Sequence, residues 1–430
     1  MHSLMRLPGA RLVMHAAVVI VVWFVMVQVN DRVDPLMNYY IALVAMYATA
    51  MFGMVILVGL SGQVSLGNGA LMAVGGYLFA LTTLNWQTVP IIGVPMNGIW
   101  AMAFAAVGGV AFGLLIGGLA ARLSGPYLAG LTLGIAVGIP AIANRFPALL
   151  GGETGLQLTV PYPEGGYAPV EDAFEQEFVE EVPTEQEALP SEEASSGDLL
   201  TDENFPSEGA SVAPDDMLTD ENFPSDGASA VPIDAVATDP TGGDPTAGID
   251  VGFVLEKWQA SLAVAVACIV GFVALNLVRG RQGRVWRAVR DDPVAAAVSG
   301  ISPAGSKVSA FVVSSLFAAL SGAVFAQILS YVGPGAFGLG LSLSLLVGVV
   351  LGGRASLIGA IIGAVLLVWL PQFVLDLSND RGWDEQVTNN APNLIYGLLV
   401  VLVVLVAPGG IVGSLQALVG RVTKRSQRAQ

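Results

Sequence analysis

Long apolar runs recur along the chain, and their length sets the first expectation about its fold. An α-helix needs about 20 apolar residues to cross a hydrocarbon core about 30 Å thick. Runs near that length predict an all-α, polytopic membrane protein with about ten transmembrane helices. The predicted spans are 13–29, 38–60, 67–84, 97–121, 126–143, 258–277, 309–330, 337–351, 357–373 and 393–412. The third, fifth and eighth are short or glycine-rich, which is typical of broken or re-entrant helices.

Lysines and arginines fall almost entirely into alternate loops between these spans. Cationic loops resist translocation and therefore mark the cytoplasmic side of a membrane protein. With the amino terminus inside, all but four of the 18 basic residues lie on that side. The acidic residues divide the other way, since only Asp291 and Asp292 are on the cytoplasmic side. Both termini are therefore predicted to be cytoplasmic.

The segment 157–256 differs in kind from the rest of the chain. It is acidic, rich in Pro, Gly, Ser and Thr, and contains no basic residue. Such a composition predicts a disordered external insertion, because too little apolar surface is present to form a core. The motif Asp-x-Leu-Thr-Asp-Glu-Asn-Phe-Pro-Ser occurs twice in it, starting at Asp198 and at Asp216. The functional alternative is that this segment tethers, or electrostatically attracts, a partner that delivers substrate.

The insertion divides the chain into regions. Residues 1–156 carry the first five predicted spans, and residues 257–416 carry the other five together with a cytoplasmic loop at 279–304. A basic tail, 417–430, follows and is predicted to be cytoplasmic. The formal net charge of -16 therefore describes one external loop rather than the membrane-embedded parts.

Composition narrows the function classes. With 54% hydrophobic and only 12% charged residues, the chain needs the bilayer as its main solvent. A single cysteine, Cys268, and two histidines, His2 and His15, supply no cluster for a metal or redox centre. The spans contain no acidic residue, which disfavours an ion-coupled secondary transporter or channel, because these need intramembrane ionisable groups. We expect no catalytic residue, metal, cofactor or nucleic-acid partner.

A polar, glycine-rich stretch lies at the boundary between the second and third predicted spans. Residues 59–77 are Gly-Leu-Ser-Gly-Gln-Val-Ser-Leu-Gly-Asn-Gly-Ala-Leu-Met-Ala-Val-Gly-Gly-Tyr. Small and polar residues at such a point indicate either close helix packing or a polar path through the membrane. The candidate substrate-path residues are Gln63, Ser65, Asn68 and Tyr77.

The same stretch closely resembles the signature of branched-chain amino acid permeases, in which Gly-x-x-Gly-Gln-x-Ser-x-Gly precedes a helix with glycine and tyrosine. Further matches at 125–133, 144–156, 322–337 and 345–360 continue in the family's order. One departure is at Ala136, near which relatives usually carry an acidic residue midway along the helix. The acidic insertion is another, since relatives generally have a shorter connection there.

The basic loop 279–304 has two interpretations. Its residues alone favour either a positive-inside anchor or a short helix that starts at Pro293 and is capped by Asp291 or Asp292. The resemblance implies that this loop docks into an ATP-binding subunit and transmits its movement to the spans. The residues assigned to this coupling are Arg287, Arg290, Asp291, Asp292, Ala295, Ala296 and Gly300.

The sequence contains no Gly-x-x-x-x-Gly-Lys-Ser/Thr motif, so it lacks the usual phosphate-binding loop of an ATPase. The resemblance implies a non-catalytic permease subunit of an ATP-binding-cassette importer in a bacterial cytoplasmic membrane. Its implied partners are a second homologous permease subunit, two ATP-binding subunits and an external substrate-binding protein. The implied substrates are branched-chain amino acids. Importers of urea or short amides share these signatures and are the alternative.

Deleting residues 171–247 is expected to leave membrane insertion intact, because this part of the insertion carries no predicted span. Fractionation of membranes, followed by detergent extraction and gel filtration of the variant, measures this. Loss of the variant from the membrane fraction would show that the insertion is structural.

Overall fold

The computed structural model describes residues 10–158 except 87, 90–96 and 124, residues 251–381, and residues 394, 395, 397, 398, 405 and 410–414. Residues 159–250 of the predicted acidic insertion and most of the predicted tenth span lie outside these residues. The predicted disorder is wrong at both ends of the insertion, because Gln157 lies in a strand and residues 251–256 lie in a helix. The α-helices are α1 (Ala10–Asn30), α2 (Pro35–Met54), α3 (Asn68–Asn85), α4 (Gly98–Ala120), α5 (Pro126–Arg145), α6 (Pro147–Leu150), α7 (Val251–Arg279), α8 (Arg281–Asp291), α9 (Pro293–Val298), α10 (Pro303–Leu329), α11 (Leu339–Gly352) and α12 (Leu357–Arg381).

Shorter elements complete the described fold. A π-helix, Val55–Leu60, continues α2, and 3-10 turns form at Gly152–Thr154 and Pro334–Phe337. Two short strands, β1 (Leu156–Gln157) and β2 (Tyr331–Val332), pair in antiparallel fashion.

Eight helical segments of the described chain are long and apolar enough to cross a bilayer. They match eight of the ten predicted spans and confirm an all-α polytopic membrane protein. The predicted third span forms α3, which has 18 residues but is less apolar because asparagines stand at both its ends. The total near ten and the orientation of the spans stay predictions.

The predicted eighth span, 337–351, forms α11 from Leu339 onward. The 3-10 turn Pro334–Phe337 precedes this helix, and Gly338, whose backbone is extended, separates the two. The fifth span, α5, is continuous although Pro140 lies inside it. Proline removes one helical N–H donor, which a membrane helix tolerates where its surroundings accommodate the freed carbonyl.

Helix α10 lies at the centre of the described fold and packs against α2, α3 and α4. Its side chains Phe311 and Phe317 are almost fully buried, as are its serines Ser314, Ser315 and Ser321. The Ser321 hydroxyl donates to the carbonyl of Met46 in α2 at 2.7 Å. The central helix of this membrane protein is therefore held by both apolar packing and buried polar contacts.

Glycines explain how α4 approaches α10 so closely. Gly109, Gly113 and Gly117 are four residues apart and therefore share one face of α4. A Cβ on Gly113 would lie 2.8 Å from the Cβ of Ser315, so no larger residue fits without displacement. Lipid and side chains are equally apolar, so close backbone packing rather than hydrophobic burial drives such association. Glycine at this spacing supplies it.

Helix α1 lies at the edge of the described fold and packs on α7. In its most apolar stretch of 18 residues only 6% is buried within the protein, against 72% in the corresponding stretch of Pro35–Leu60. Polar contacts hold α1 at both ends. The His15 ring bonds Asn276 at 3.0 Å and Arg279 at 2.9 Å, while Asp31 pairs with Lys257 at 2.5 Å.

The strands β1 and β2 connect the two halves of the sequence. Leu156 pairs with Val332 and Gln157 with Tyr331, and the Leu158 N–H donates to the Ser330 carbonyl at 2.8 Å. This pairing joins the segment that follows α6 to the carboxyl end of α10. It lies on the side that the charge distribution predicts to be external.

Replacing Gly113 with leucine is expected to displace α4 from α10 and destabilise the protein, because overpacking a close contact costs about 1–3 kcal/mol or more. The matched control is Gly118→Leu on the same helix, since a Cβ on Gly118 meets no atom within 4 Å. Thermal unfolding in detergent measures both. Equal melting temperatures for the two variants would contradict the proposed role of the glycine face.

Candidate functional site

The break between α2 and α3 is the first part of the candidate site, and we call residues 59–68 the signature segment. The π-helix Val55–Leu60 leads into the break. At its end the Ser61 N–H bonds the Ile56 carbonyl at 2.9 Å, and the Gln63 N–H bonds the Leu57 carbonyl at 3.0 Å. Gly62 has a φ of +70°, which favours glycine. The chain is then irregular until α3 begins at Asn68.

Gln63 lies within this break and is 4% exposed. Its amide nitrogen contacts the Ser61 hydroxyl and donates to the backbone carbonyl of Lys307, in the first turns of α10, at 3.4 Å. The predicted path residue therefore connects the signature segment to the start of the central helix.

Ser65 and Asn68 are fully buried, and their surroundings bring three further helices to the signature segment. The Ser65 hydroxyl accepts from the Gly67 N–H at 3.4 Å. Asn68 accepts at its side-chain oxygen from Ser314 of α10 at 3.5 Å. The adjacent backbone N–H groups are bound by two hydroxyls, Leu66 by Thr132 of α5 at 3.0 Å and Gly69 by Ser342 of α11 at 2.9 Å.

Two polar atoms of the signature segment are buried without a hydrogen-bond partner in the part of the chain that the structure describes. They are the side-chain oxygen of Gln63 and the side-chain nitrogen of Asn68. Leaving such groups unpaired costs free energy, so they are the groups here that can bind a polar ligand or water. The segment thus offers one free acceptor and one free donor.

Tyr77 does not join the other predicted path residues. It lies more than two helical turns beyond Asn68 on α3, and its ring centroid is 6.5 Å from that of Phe337. Its side chain is 6% exposed, and its hydroxyl has no hydrogen-bond partner among the described residues. The structure therefore groups Gln63, Ser65 and Asn68 together and places Tyr77 apart from them.

The second part of the site is the loop 279–304, which we call the coupling segment. Helix α8 packs through Trp286, which is fully buried and donates from its indole nitrogen to the Ser309 hydroxyl of α10 at 3.0 Å. Arg287 donates to the Gly283 carbonyl at 2.9 Å and to the Val278 carbonyl at 2.6 Å. Arg287 therefore joins α8 to the carboxyl end of α7 rather than projecting outward.

Arg290 brings the two parts of the site into contact. Its Nη1 donates to the Gly59 carbonyl of the signature segment at 2.7 Å. Its Nε and Nη2 donate to one carboxylate oxygen of Asp291, at 2.9 and 2.8 Å. The coupling segment and the signature segment, 231 residues apart in sequence, therefore share a charge-assisted hydrogen bond.

Helix α9 begins at Pro293, as the sequence predicted. The Asp292 carboxylate accepts from the N–H groups of Val294 and Ala295 at 2.9 and 3.0 Å, with Pro293 at the first helical position. Asp292 is thus the cap, and the alternative, Asp291, instead binds Arg290. Gly300 ends the turn with a φ of +81°.

Of the predicted coupling residues on α9, Ala296 does not lie on the exposed surface of the helix. Ala296 is 4% exposed and faces the protein, so it does not contribute to an outer surface. Ala295 and Ala297 are exposed, and Val294 and Val298 are 72% and 87% exposed. Helical periodicity is the reason, because a six-residue helix that lies on a protein must direct some positions inward. The outer surface is apolar and larger than alanine and glycine alone would make it.

Thr132, Ser342, Trp286 and Ser309 are the site residues that sequence reasoning missed. Thr132 lies within a stretch that resembles the family, but nothing in its neighbourhood indicates a partner near residue 66. Sequence reasoning predicted a short helix from Pro293 and did not predict α8, although Arg281, Arg284, Arg287 and Arg290 recur every three residues along it. The contacts of Trp286 with Ser309 were therefore not foreseen either.

Comparison with known proteins identifies the family. The family model described as the permease component of the branched-chain amino acid transport system matches residues 36–407. The chain belongs to this family. The permease is 28% identical over 376 residues to the high-affinity branched-chain amino acid transport system permease protein LivM of Escherichia coli (strain K12), covering 86% of this chain and 68% of that protein. LivM of Salmonella typhimurium is also 28% identical, over 366 residues.

A third relative covers less of the permease. The autoinducer 2 import system permease protein LsrC of Enterobacter sp. (strain 638) is 30% identical over 146 residues, which is 33% of this chain and 41% of LsrC. No solved structure gives a significant match. The match to the family begins at residue 36, so both the signature segment and the coupling segment lie within it, while α1 precedes it.

Removing the cap of α9 is expected to loosen this helix. Asp292→Ala should raise amide hydrogen exchange in residues 293–300, because losing an N-cap costs about 1 kcal/mol. Asp292→Asn is the matched control, since asparagine also accepts from the two N–H groups. Hydrogen-exchange mass spectrometry in detergent measures both. Faster exchange in the asparagine variant to the same extent would indicate that charge, not capping, orders the segment.

Proposed function

We propose that this permease is the membrane-spanning subunit of an ATP-binding-cassette importer that moves branched-chain amino acids into a bacterial cell. Membership of the family and the two LivM relatives support the transport class and the substrate class. The sequence has no phosphate-binding loop of the usual form, so separate ATP-binding subunits supply the energy. The chain itself carries out no covalent chemistry on the substrate.

The observation that carries this proposal is the exposed apolar surface of α9. Val294 and Val298 lie on a capped helix, next to the arginines of α8, on the predicted cytoplasmic side. Large apolar side chains exposed among charged residues are typical of a protein interface. The occupant we propose is a groove on an ATP-binding subunit, which would enclose the two valines and leave Ala296 in contact with the bundle.

The complete importer, in this proposal, has a second homologous permease subunit, two ATP-binding subunits and an external substrate-binding protein. The binding protein delivers substrate to the predicted outer face, which carries the acidic insertion. The signature segment forms the inner closure of the path. When it opens, the unpaired oxygen of Gln63 and nitrogen of Asn68 would bind the ammonium and carboxylate groups of an amino acid.

The substrate class can be tested directly. Proteoliposomes that contain the full importer and its binding protein should accumulate radiolabelled leucine, isoleucine or valine when ATP is enclosed with the ATP-binding subunits. Urea, acetamide and autoinducer 2 are the comparison substrates, since related importers of the same class move them. Uptake of any of these in preference to the amino acids would replace the proposed substrate while keeping the transport class.

Placing a charge on the outer surface of α9 is expected to prevent docking of the ATP-binding subunits. A buried, unpaired charge costs several kcal/mol, and about 1.4 kcal/mol changes an affinity tenfold. Val298→Glu should therefore lower both copurification of the ATP-binding subunits and uptake by at least about tenfold. Quantitative pull-down from detergent and uptake into proteoliposomes measure the two effects.

The matched control for this experiment is Ala355→Glu. Ala355 is exposed in another predicted cytoplasmic loop, between α11 and α12, and the substitution adds the same charge. We expect normal assembly for this variant. Normal assembly of the Val298→Glu variant as well would contradict docking at α9.

A further inference from the structure

We propose that Arg290 is a positioning residue that carries the movement of the coupling segment to the signature segment by holding the Gly59 carbonyl. The inference rests on the proposed coupling role of α8 and α9. It adds a specific link within the permease, at the one described contact where a charged side chain of the coupling segment reaches the signature segment.

The backbone at the end of the π-helix makes the Gly59 carbonyl available. In a continuous α-helix this carbonyl would accept from the N–H of residue 63. Here the Gln63 N–H bonds the Leu57 carbonyl at 3.0 Å instead, because the turn is wider. The guanidinium of Arg290 takes the place of the missing donor, at 2.7 Å. A hydrogen bond to a charged donor is stronger than the neutral one that it replaces.

Arg290 is held between Gly62, which lies against its aliphatic stem, and Asp291, which binds its guanidinium. A Cβ on Gly62 would lie 2.6 Å from the Cγ of Arg290, so the stem of the arginine occupies the space of a side chain. Asp291 holds the opposite edge of the guanidinium through Nε and Nη2. Because Arg290 and Asp291 are adjacent in α8, this pair moves as one with the coupling segment.

The contacts of the signature segment carry such a movement further. Gln63 and Leu66 follow Gly59 in the signature segment. Gln63 bonds the start of α10, and Leu66 bonds Thr132 of α5. The Gly69 N–H, in the first turn of α3, bonds Ser342 of α11. A displacement of the Gly59 carbonyl therefore acts on α3, α5, α10 and α11 through a short series of hydrogen bonds. The Arg290 contact is where that series meets the coupling segment.

The test compares two variants that break the link from opposite sides, in the assembled importer with its ATP-binding subunits. Arg290→Met removes the donors but keeps an apolar stem of similar length. Gly62→Ala places a methyl group against the arginine stem. Arg290→Lys retains one donor for the Gly59 carbonyl and should restore part of the function. Gly125→Ala is the control for a glycine of positive φ, since Gly125 has a φ of +59° and a Cβ there meets no atom within 4 Å.

Two readouts separate a link from a structural anchor. The first is the number of substrate molecules moved per ATP hydrolysed, which should fall at least about tenfold in the methionine and alanine variants while ATP hydrolysis continues. The second is amide hydrogen exchange with and without ATP. In the unmodified importer, ATP should change exchange both in residues 281–298 and in residues 59–68. In the Arg290→Met variant only the change in residues 281–298 should remain.

The outcomes that would overturn the proposed link are as follows. An unchanged transport ratio, or an ATP-dependent change that persists in residues 59–68 of the Arg290→Met variant, overturns the link. An equal fall of the transport ratio in the Gly125→Ala variant also overturns the link, because backbone strain alone would then explain the fall in the Gly62→Ala variant. Assembly is measured by copurification in every variant. Failure of the proposed function would instead appear as normal assembly of the Val298→Glu variant, which leaves Arg290 in place.

Discussion

Within a bilayer, every backbone N–H and carbonyl group needs a partner inside the protein, and the break between α2 and α3 concentrates this demand. The signature segment cannot meet it by helical hydrogen bonds, because its backbone is irregular between Ser61 and Gly67. Thr132 and Ser342 supply hydroxyl acceptors from α5 and α11, and Arg290 supplies a donor from α8. The requirement to satisfy a broken helix thus determines which elements surround it and joins the coupling segment to the signature segment.

Close packing around α10 is the second constraint, and it acts together with the first. Glycines on α4 and α3 allow the backbones of these helices to approach α10. A Cβ on Gly75 of α3 would clash with the Ala319 carbonyl of α10, and a Cβ on Gly322 of α10 would clash with the Met72 carbonyl of α3. Helices that are this close slide little without displacing each other. In the proposed mechanism, a movement that enters at the signature segment would therefore involve the helices around α10 together, as alternation between two states requires.

Sequence reasoning about the site was most successful where a local rule applied. Asp292 and Pro293 begin α9 as capping preferences predict, because those preferences concern residues within one turn of each other. It was less successful for contacts at long range. The inward orientation of Ala296, the binding of Asp291 to Arg290 and the separation of Tyr77 from Gln63 depend on how whole helices pack, which a single sequence does not specify.

The sequence by itself determined that this protein crosses the membrane many times, since apolar runs of sufficient length have no other stable environment. It also indicated the family, through motifs that are contiguous in the chain, and the start of a short helix at Pro293. Only the tertiary structure decided that Arg290 meets the Gly59 carbonyl and that Val294 and Val298 form the outer surface of α9. The physical reason is that hydrogen bonds and burial join residues far apart in sequence, and their partners exist only once the helices have packed.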